Sequence, residues 1–152
     1  MARYPILFDR TELIEGNGFV ARVIVAGRAL LTEEDGGFWA EGVNPGGFAA
    51  TGASTGEALN AFCREYRSIL FDIAVGAATF QAFKGEVEKF FQETSEVARG
   101  DWEQAVIEVR TGRTTADWLA KRPADSPLRV EVVEVRQPKA ENNEEGETAI
   151  AA

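Results

Sequence analysis

The side chains in this chain that could do chemistry are mostly carboxylates and guanidiniums. Glu33, Glu34 and Asp35 stand together just ahead of Gly36-Gly37, and oxygen ligands of that kind hold divalent cations. Their spacing matches no calcium loop, so they read first as solvated acids in a turn. Arg110, Arg113, Lys121 and Arg122 form a basic cluster. Such a cluster contacts nucleic acid or an acidic partner in some proteins, but next to a helix end it reads first as solvated charge that suits the helix dipole. The chain contains no histidine. It therefore lacks a Ser-His-Asp or Cys-His pair, a histidine proton shuttle and any imidazole metal ligand. Cys63 is the sole cysteine, so no intramolecular disulfide or thiolate zinc cluster is possible. Its apolar helical position marks it as a packed residue rather than a reactive thiol.

Composition sets the outer bounds. With 152 residues, 45% hydrophobic and 27% charged, the chain suits one soluble domain with a sizeable core. A formal charge of −9 and a pI near 4.6 oppose long-range attraction to phosphate backbones and anionic lipid. Direct nucleic-acid binding and membrane binding are not expected. No apolar run reaches bilayer length, and the amino terminus lacks the charged-then-apolar form of a secretory signal. A cytoplasmic location is the expectation. Gly46-Gly47 and the later glycines do not have the spacing of a phosphate-binding loop, and no cofactor is expected.

The stretch from Phe38 to Ala74 organises the rest. Phe38 to Val43 and Phe48 to Gly52 are strand-like runs joined by Asn44-Pro45-Gly46-Gly47. Ser54 and Glu57 form a capping box that opens a helix. Leu59, Phe62, Cys63, Tyr66, Ile69, Leu70 and Ile73 then recur at three- and four-residue steps, giving one apolar face to lay on a sheet. Before this unit, Tyr4 to Phe8 reads as an edge strand that tolerates Pro5. Gly16-Asn17-Gly18 is a turn, and Phe19 to Thr32 is a long β-branched strand in which Gly27 marks a bulge. After it, a second helix is expected from Phe80 to about Ala98, with Arg99-Gly100 ending it. Asp101 would cap a third helix carrying Trp102, Ala105, Val106 and Val109 and closed by Gly112. Thr114 or Thr115 would cap one or two further turns bearing Trp118 and Leu119. Leu128 to Val135 is a strand returning to the sheet.

In order and spacing, these residues resemble the HicB-like antitoxin family. The residues in question are the acidic turn, Gly37-Phe38-Trp39-Ala40, the Pro45-Gly46 turn, the strand through Thr51-Gly52 and the Glu57-Ala58 helix start. The resemblance spans roughly residues 20–74, with a late strand near 128–136. It implies a β-β-β-α-β domain similar to part of a ribonuclease H fold, which neutralises a small messenger-RNA-cleaving toxin. Glu41, Glu57, Glu65 and Asp72 could imitate the carboxylate cluster of a ribonuclease H site. The family is regarded as having lost that catalysis, and Glu57 already serves as a cap. The DNA-binding module that often follows the small domain in this family is not evident here, so operator binding is not expected.

The expectation is an α+β domain over residues 1–136 with a largely antiparallel four- or five-stranded sheet. One long helix packs on the sheet, a helical insertion occupies about 77–122, and an acidic disordered tail follows at 137–152. Phe80, Phe83, Phe90, Phe91, Trp102 and Trp118 are a large apolar payload for short helices. They are the candidates for a partner or self-association surface. The expected function is non-catalytic binding of a small basic, toxin-like protein by occlusion of its RNA-binding face. The alternatives are a self-assembling accessory protein with the same fold and, behind it, a carboxylate-dependent metal nuclease.

Overall fold

The computed structural model describes residues 1–119 and 122–135. It is an α+β structure with a five-stranded antiparallel sheet and three helices. The expected tail at 137–152 lies outside the described residues.

β1 (Ala2–Glu15) and β2 (Val20–Glu34) form one long hairpin paired in register from Ala2↔Glu33 to Glu15↔Val20. Its turn is the expected Gly16-Asn17-Gly18. There the Gly16 amide donates to the Phe19 carbonyl at 2.9 Å, and Gly18 takes φ 77°, a left-handed conformation that glycine adopts without strain. β2 turns through Asp35 and Gly36, both at positive φ, into β3 (Gly37–Asn44). Positive φ at both central residues matches the twist of a tight hairpin. β4 (Gly46–Gly52) pairs with β3, and β5 (Arg129–Glu134) returns to pair with β2 over Ala21 to Ala26. The sheet order is β1-β2-β3-β4, with β5 lying beside β2 in line with β3. β1 is therefore an edge strand, and it runs well beyond the Tyr4–Phe8 segment expected from its apolar run.

The irregularity expected near Gly27 is present. The β2–β3 register shifts between Arg28 and Ala29. A Cβ on Gly27 would overlap the Asn44 carbonyl oxygen and the Phe8 ring, so the glycine lets two backbones approach.

α1 (Thr55–Gly76) starts as the capping box dictates: the Glu57 amide donates to Ser54 Oγ at 3.1 Å and the Ala53 amide donates to Glu57 Oε2 at 2.8 Å. Its buried stripe is Ala58, Phe62, Tyr66, Leu70 and Ala74. The expected Leu59, Cys63, Ile69 and Ile73 flank this stripe half-buried.

The boundary between the next two helices differs from expectation. α2 (Phe80–Gln92) stops six residues short of Ala98, and α3 (Glu96–Arg110) runs straight through Arg99-Gly100-Asp101. The reason is tertiary. The Gly46 amide donates to the Glu93 carbonyl at 2.8 Å, Asn44 Nδ2 donates to Thr94 Oγ1 at 2.6 Å, and Ser95 Oγ caps α3 by accepting from the Ala98 amide at 3.2 Å. The β3–β4 turn thus holds the interhelical link in place, and Gly100 is carried inside the helix at a modest propensity cost. α3 is closed as expected by Gly112, which takes φ 77° two residues after the last helical residue. Beyond it, Trp118 and Leu119 lie in a turn closed by the Leu119 amide donating to the Ala116 carbonyl at 3.0 Å, not in a further helix.

Strand alternation divides the core. Ala21, Val23, Val25, Ala29 and Leu31 face α1 and α2, with Phe62, Tyr66, Leu70, Phe83 and Val87 above them. Leu30 and Val43 point the other way, under Ala98, Trp102 and Ala105 of α3. Helices therefore lie on both faces of the sheet.

Candidate functional site

The structure places the six aromatic candidates unequally. Phe83 is fully buried (0% exposed), and Phe91 and Trp102 are buried as well. Phe80 and Phe90 are half-buried against the same core, where Phe19 meets Phe80 and Phe48 meets Phe90. These five side chains are packed into the core of the folded chain. Trp118 is 46% exposed, with its ring edge-on to Tyr4 at 5.1 Å.

The carboxylates named above are likewise dispersed. Glu57 is engaged at the α1 cap, Glu65 and Asp72 are exposed further along α1, and Glu41 lies on the opposite face of the sheet. Among the described residues no group of three or more His, Cys, Asp or Glu side chains converges on one point.

Trp39 is not among the surface candidates that the sequence offers. It is 44% exposed, and its strand register explains why. Trp39 pairs with Thr32 on β2 and Thr51 on β4, which puts it on the face that carries α3. α3 covers Leu30 and Val43 there and leaves Trp39 uncovered. An open groove of about 560 Å³ runs past it, with Thr32, Glu34, Asp35, Thr51 and Ala53 in its walls. One step along β3 on the same face, Glu41 sits near Asp101 and Arg3. Its carboxyl is pushed above the ordinary range by burial and then by the Asp101 charge, against the opposing pull of Arg3. Arg3 itself pairs with Asp101 at 3.6 Å. Glu34 and Asp35, at the β2–β3 turn, are exposed.

The strand next to this face is an edge. β4 bonds to β3 on one side only, and its outer side makes one backbone hydrogen bond among the described residues, the Gly46–Glu93 contact. Ala49 and Thr51 are exposed on the Trp39 face. An exposed indole, a strand edge with free backbone groups and a carboxylate rim are the parts from which β-strand addition is built.

A second ionic cluster lies on the other face and is internally satisfied. Glu12 has a side chain only 7% exposed. Its Oε2 accepts from Arg10 Nε at 3.1 Å and Nη2 at 2.6 Å, and Arg67 Nε lies 3.6 Å from Oε1. Two cations around one buried carboxylate are the compensation that burial requires. Beside it, burial is the leading cause that pushes up both the Cys63 thiol and the Tyr66 hydroxyl, and both groups are held in their protonated forms.

Comparison with protein-family models, with curated proteins and with solved structures found no match. No helix among the described residues is long and apolar enough to cross a membrane.

Proposed function

We propose that this chain is a cytoplasmic, non-catalytic protein-binding module of the HicB-like antitoxin kind, which neutralises a small basic messenger-RNA-cleaving toxin by occluding its RNA-binding face. The observation that carries this reading is Trp39, 44% exposed on a sheet face rimmed by Glu34, Asp35 and Glu41 beside the open β4 edge. A basic partner would be drawn in by the −9 charge of the chain. Trp39 would supply the apolar anchor, and an extended segment of the partner could add its backbone to β4. The family part of this reading rests on the sequence resemblance over residues 20–74.

The test is co-purification of the tagged chain from its native host after nuclease treatment, alongside a Trp39→Ala variant, followed by a ribonuclease assay of whatever is recovered. The expected result is a small basic protein in stoichiometric amount, whose ribonuclease activity falls on adding the wild type and not on adding W39A. A recovered ribonuclease that stays fully active in the presence of the wild type would overturn the proposal.

Self-assembly is the second reading, and the free edge of β1 favours it. Among the described residues no backbone hydrogen bond reaches that edge from a third strand. Antiparallel pairing of two copies of β1 centred on Thr11 would continue the sheet across a two-fold axis, with the Arg10–Glu12 pair of each copy kept as it stands. Light scattering on the wild type and on Thr11→Pro separates this reading from a monomer.

A further inference from the structure

The face of the sheet under α3 holds a cavity of about 330 Å³ between β1, α3 and the residues Ala116, Leu119, Arg122 and Ala124. Leu7, Trp102, Val106 and Leu119 are among its mostly apolar walls, and Arg110 and Arg122 are the charged residues of its lining. A volume of this size with apolar walls and a few convergent polar groups is what small-molecule sites have in common.

The two arginines differ in their commitments. Arg122 Nη1 is bonded to Asp9 Oδ2 at 2.7 Å. Arg110, the last residue of α3, makes no hydrogen bond or ion pair among the described residues. In the sequence, Arg110 and Arg122 belong to a basic cluster that reads as solvated helix-end charge, but the fold sets both in the lining of one largely apolar space. The indole of Trp102 is fixed at that space, since its Nε1 donates to the Ile6 carbonyl at 3.3 Å and Arg28 lies over its ring.

From this geometry we infer that the cavity under α3 is a binding site for a small amphipathic carboxylate, with the aliphatic or aromatic body among Leu7, Val106 and Leu119 and the carboxylate on Arg110. A carboxylate meets a guanidinium through charge-assisted, potentially bidentate hydrogen bonds, and the apolar walls reject a purely polar anion. This site lies on the same face of the sheet as Trp39 but shares no lining residue with the groove beside it, and it does not depend on the protein-binding reading.

The test is calorimetric titration of the full chain with decanoate below its micelle concentration, with 1-decanol as the neutral probe of equal length. The expected result is saturable one-site binding of decanoate and binding about tenfold weaker for 1-decanol, the loss of one charge-assisted contact. Arg110→Gln, at an exposed position, should weaken decanoate by a similar factor and leave 1-decanol unchanged. Val106→Trp should fill the cavity and abolish both, and Ala124→Phe repeats that test from the opposite wall should Val106→Trp fail to fold. Absence of saturable decanoate binding would overturn the inference. So would decanoate binding that survives both filling variants, or equal affinity for the two probes.

Discussion

The guanidinium carbon of Arg28, in the middle of β2, stands 4.6 Å from the centre of the Trp102 ring on α3. Arg28 Nε is buried without a hydrogen-bond partner among the described residues, and the π-face lies beside it. This contact and the Trp102–Ile6 hydrogen bond fasten α3 to the sheet. Trp102→Ala should lower unfolding free energy by about 3–5 kcal/mol, the usual cost of deleting a buried tryptophan. Trp102→Phe should cost less. A double-mutant cycle of Arg28→Met with Trp102→Leu, read by urea denaturation, should give a coupling of roughly 0.5–2 kcal/mol. Coupling near zero would show that the ring and the cation merely share space.

Gly27 offers a sharper test of the β2 irregularity. A methyl group there would overlap the Asn44 carbonyl and the Phe8 ring, and the carbonyl belongs to backbone that also positions the α2–α3 link. Gly27→Ala should therefore destabilise by well over the ~0.5 kcal/mol of an ordinary surface change, seen as a lower urea midpoint. A midpoint equal to wild type would mean that β3 can move away freely.

What the sequence made legible follows local physics. The capping box at Ser54 and Glu57, the turns at Gly16-Asn17-Gly18 and Asp35-Gly36, and the helix end at Gly112 all depend on residues within a few positions of one another, and each is where its signal put it. The α2–α3 boundary was misplaced because Arg99-Gly100 is a good local stop signal, while the actual break at Glu93 to Ser95 is held by Asn44 and Gly46, about fifty residues earlier. The aromatic candidates shared that limit. Helical spacing shows that Phe83 and Trp102 have apolar neighbours, but which of them meets a sheet face is decided by strand register. Trp39 was passed over for the converse reason. It sits in an alternating strand like any other, and its exposure follows from where α3 stops.

Cys63 and its neighbours bear on reactivity. Burial pushes the thiol above its ordinary value, with the Arg10 charge pulling against it and Glu12 adding to it. The thiolate is the reacting form. Alkylation of the native protein at pH 8 should accordingly run several-fold slower than that of a free thiol and reach the free rate in urea. A native rate equal to the free one would show that the thiol is neither desolvated nor shielded.

The Glu41 carboxyl carries the last expectation. Its folded value is raised by burial first and by Asp101 second, with Arg3 opposing. A carboxyl raised in the folded state binds its proton more tightly there than in the unfolded chain. Its contribution to stability is therefore most favourable at low pH and is lost as pH rises from the unfolded value through the folded one. Glu41→Gln removes the ionising group while keeping its shape. It should leave stability near pH 4 almost unchanged and raise the melting temperature at pH 7, which flattens the decline of the wild type between those values. Asp101→Asn should act in the same direction more weakly, because it removes the second cause and also breaks the pair with Arg3. A Glu41→Gln variant less stable than wild type at pH 7 would mean that Arg3 outweighs burial at this site. The carboxylate would then be a stabilising member of the Trp39 face rather than a strained one.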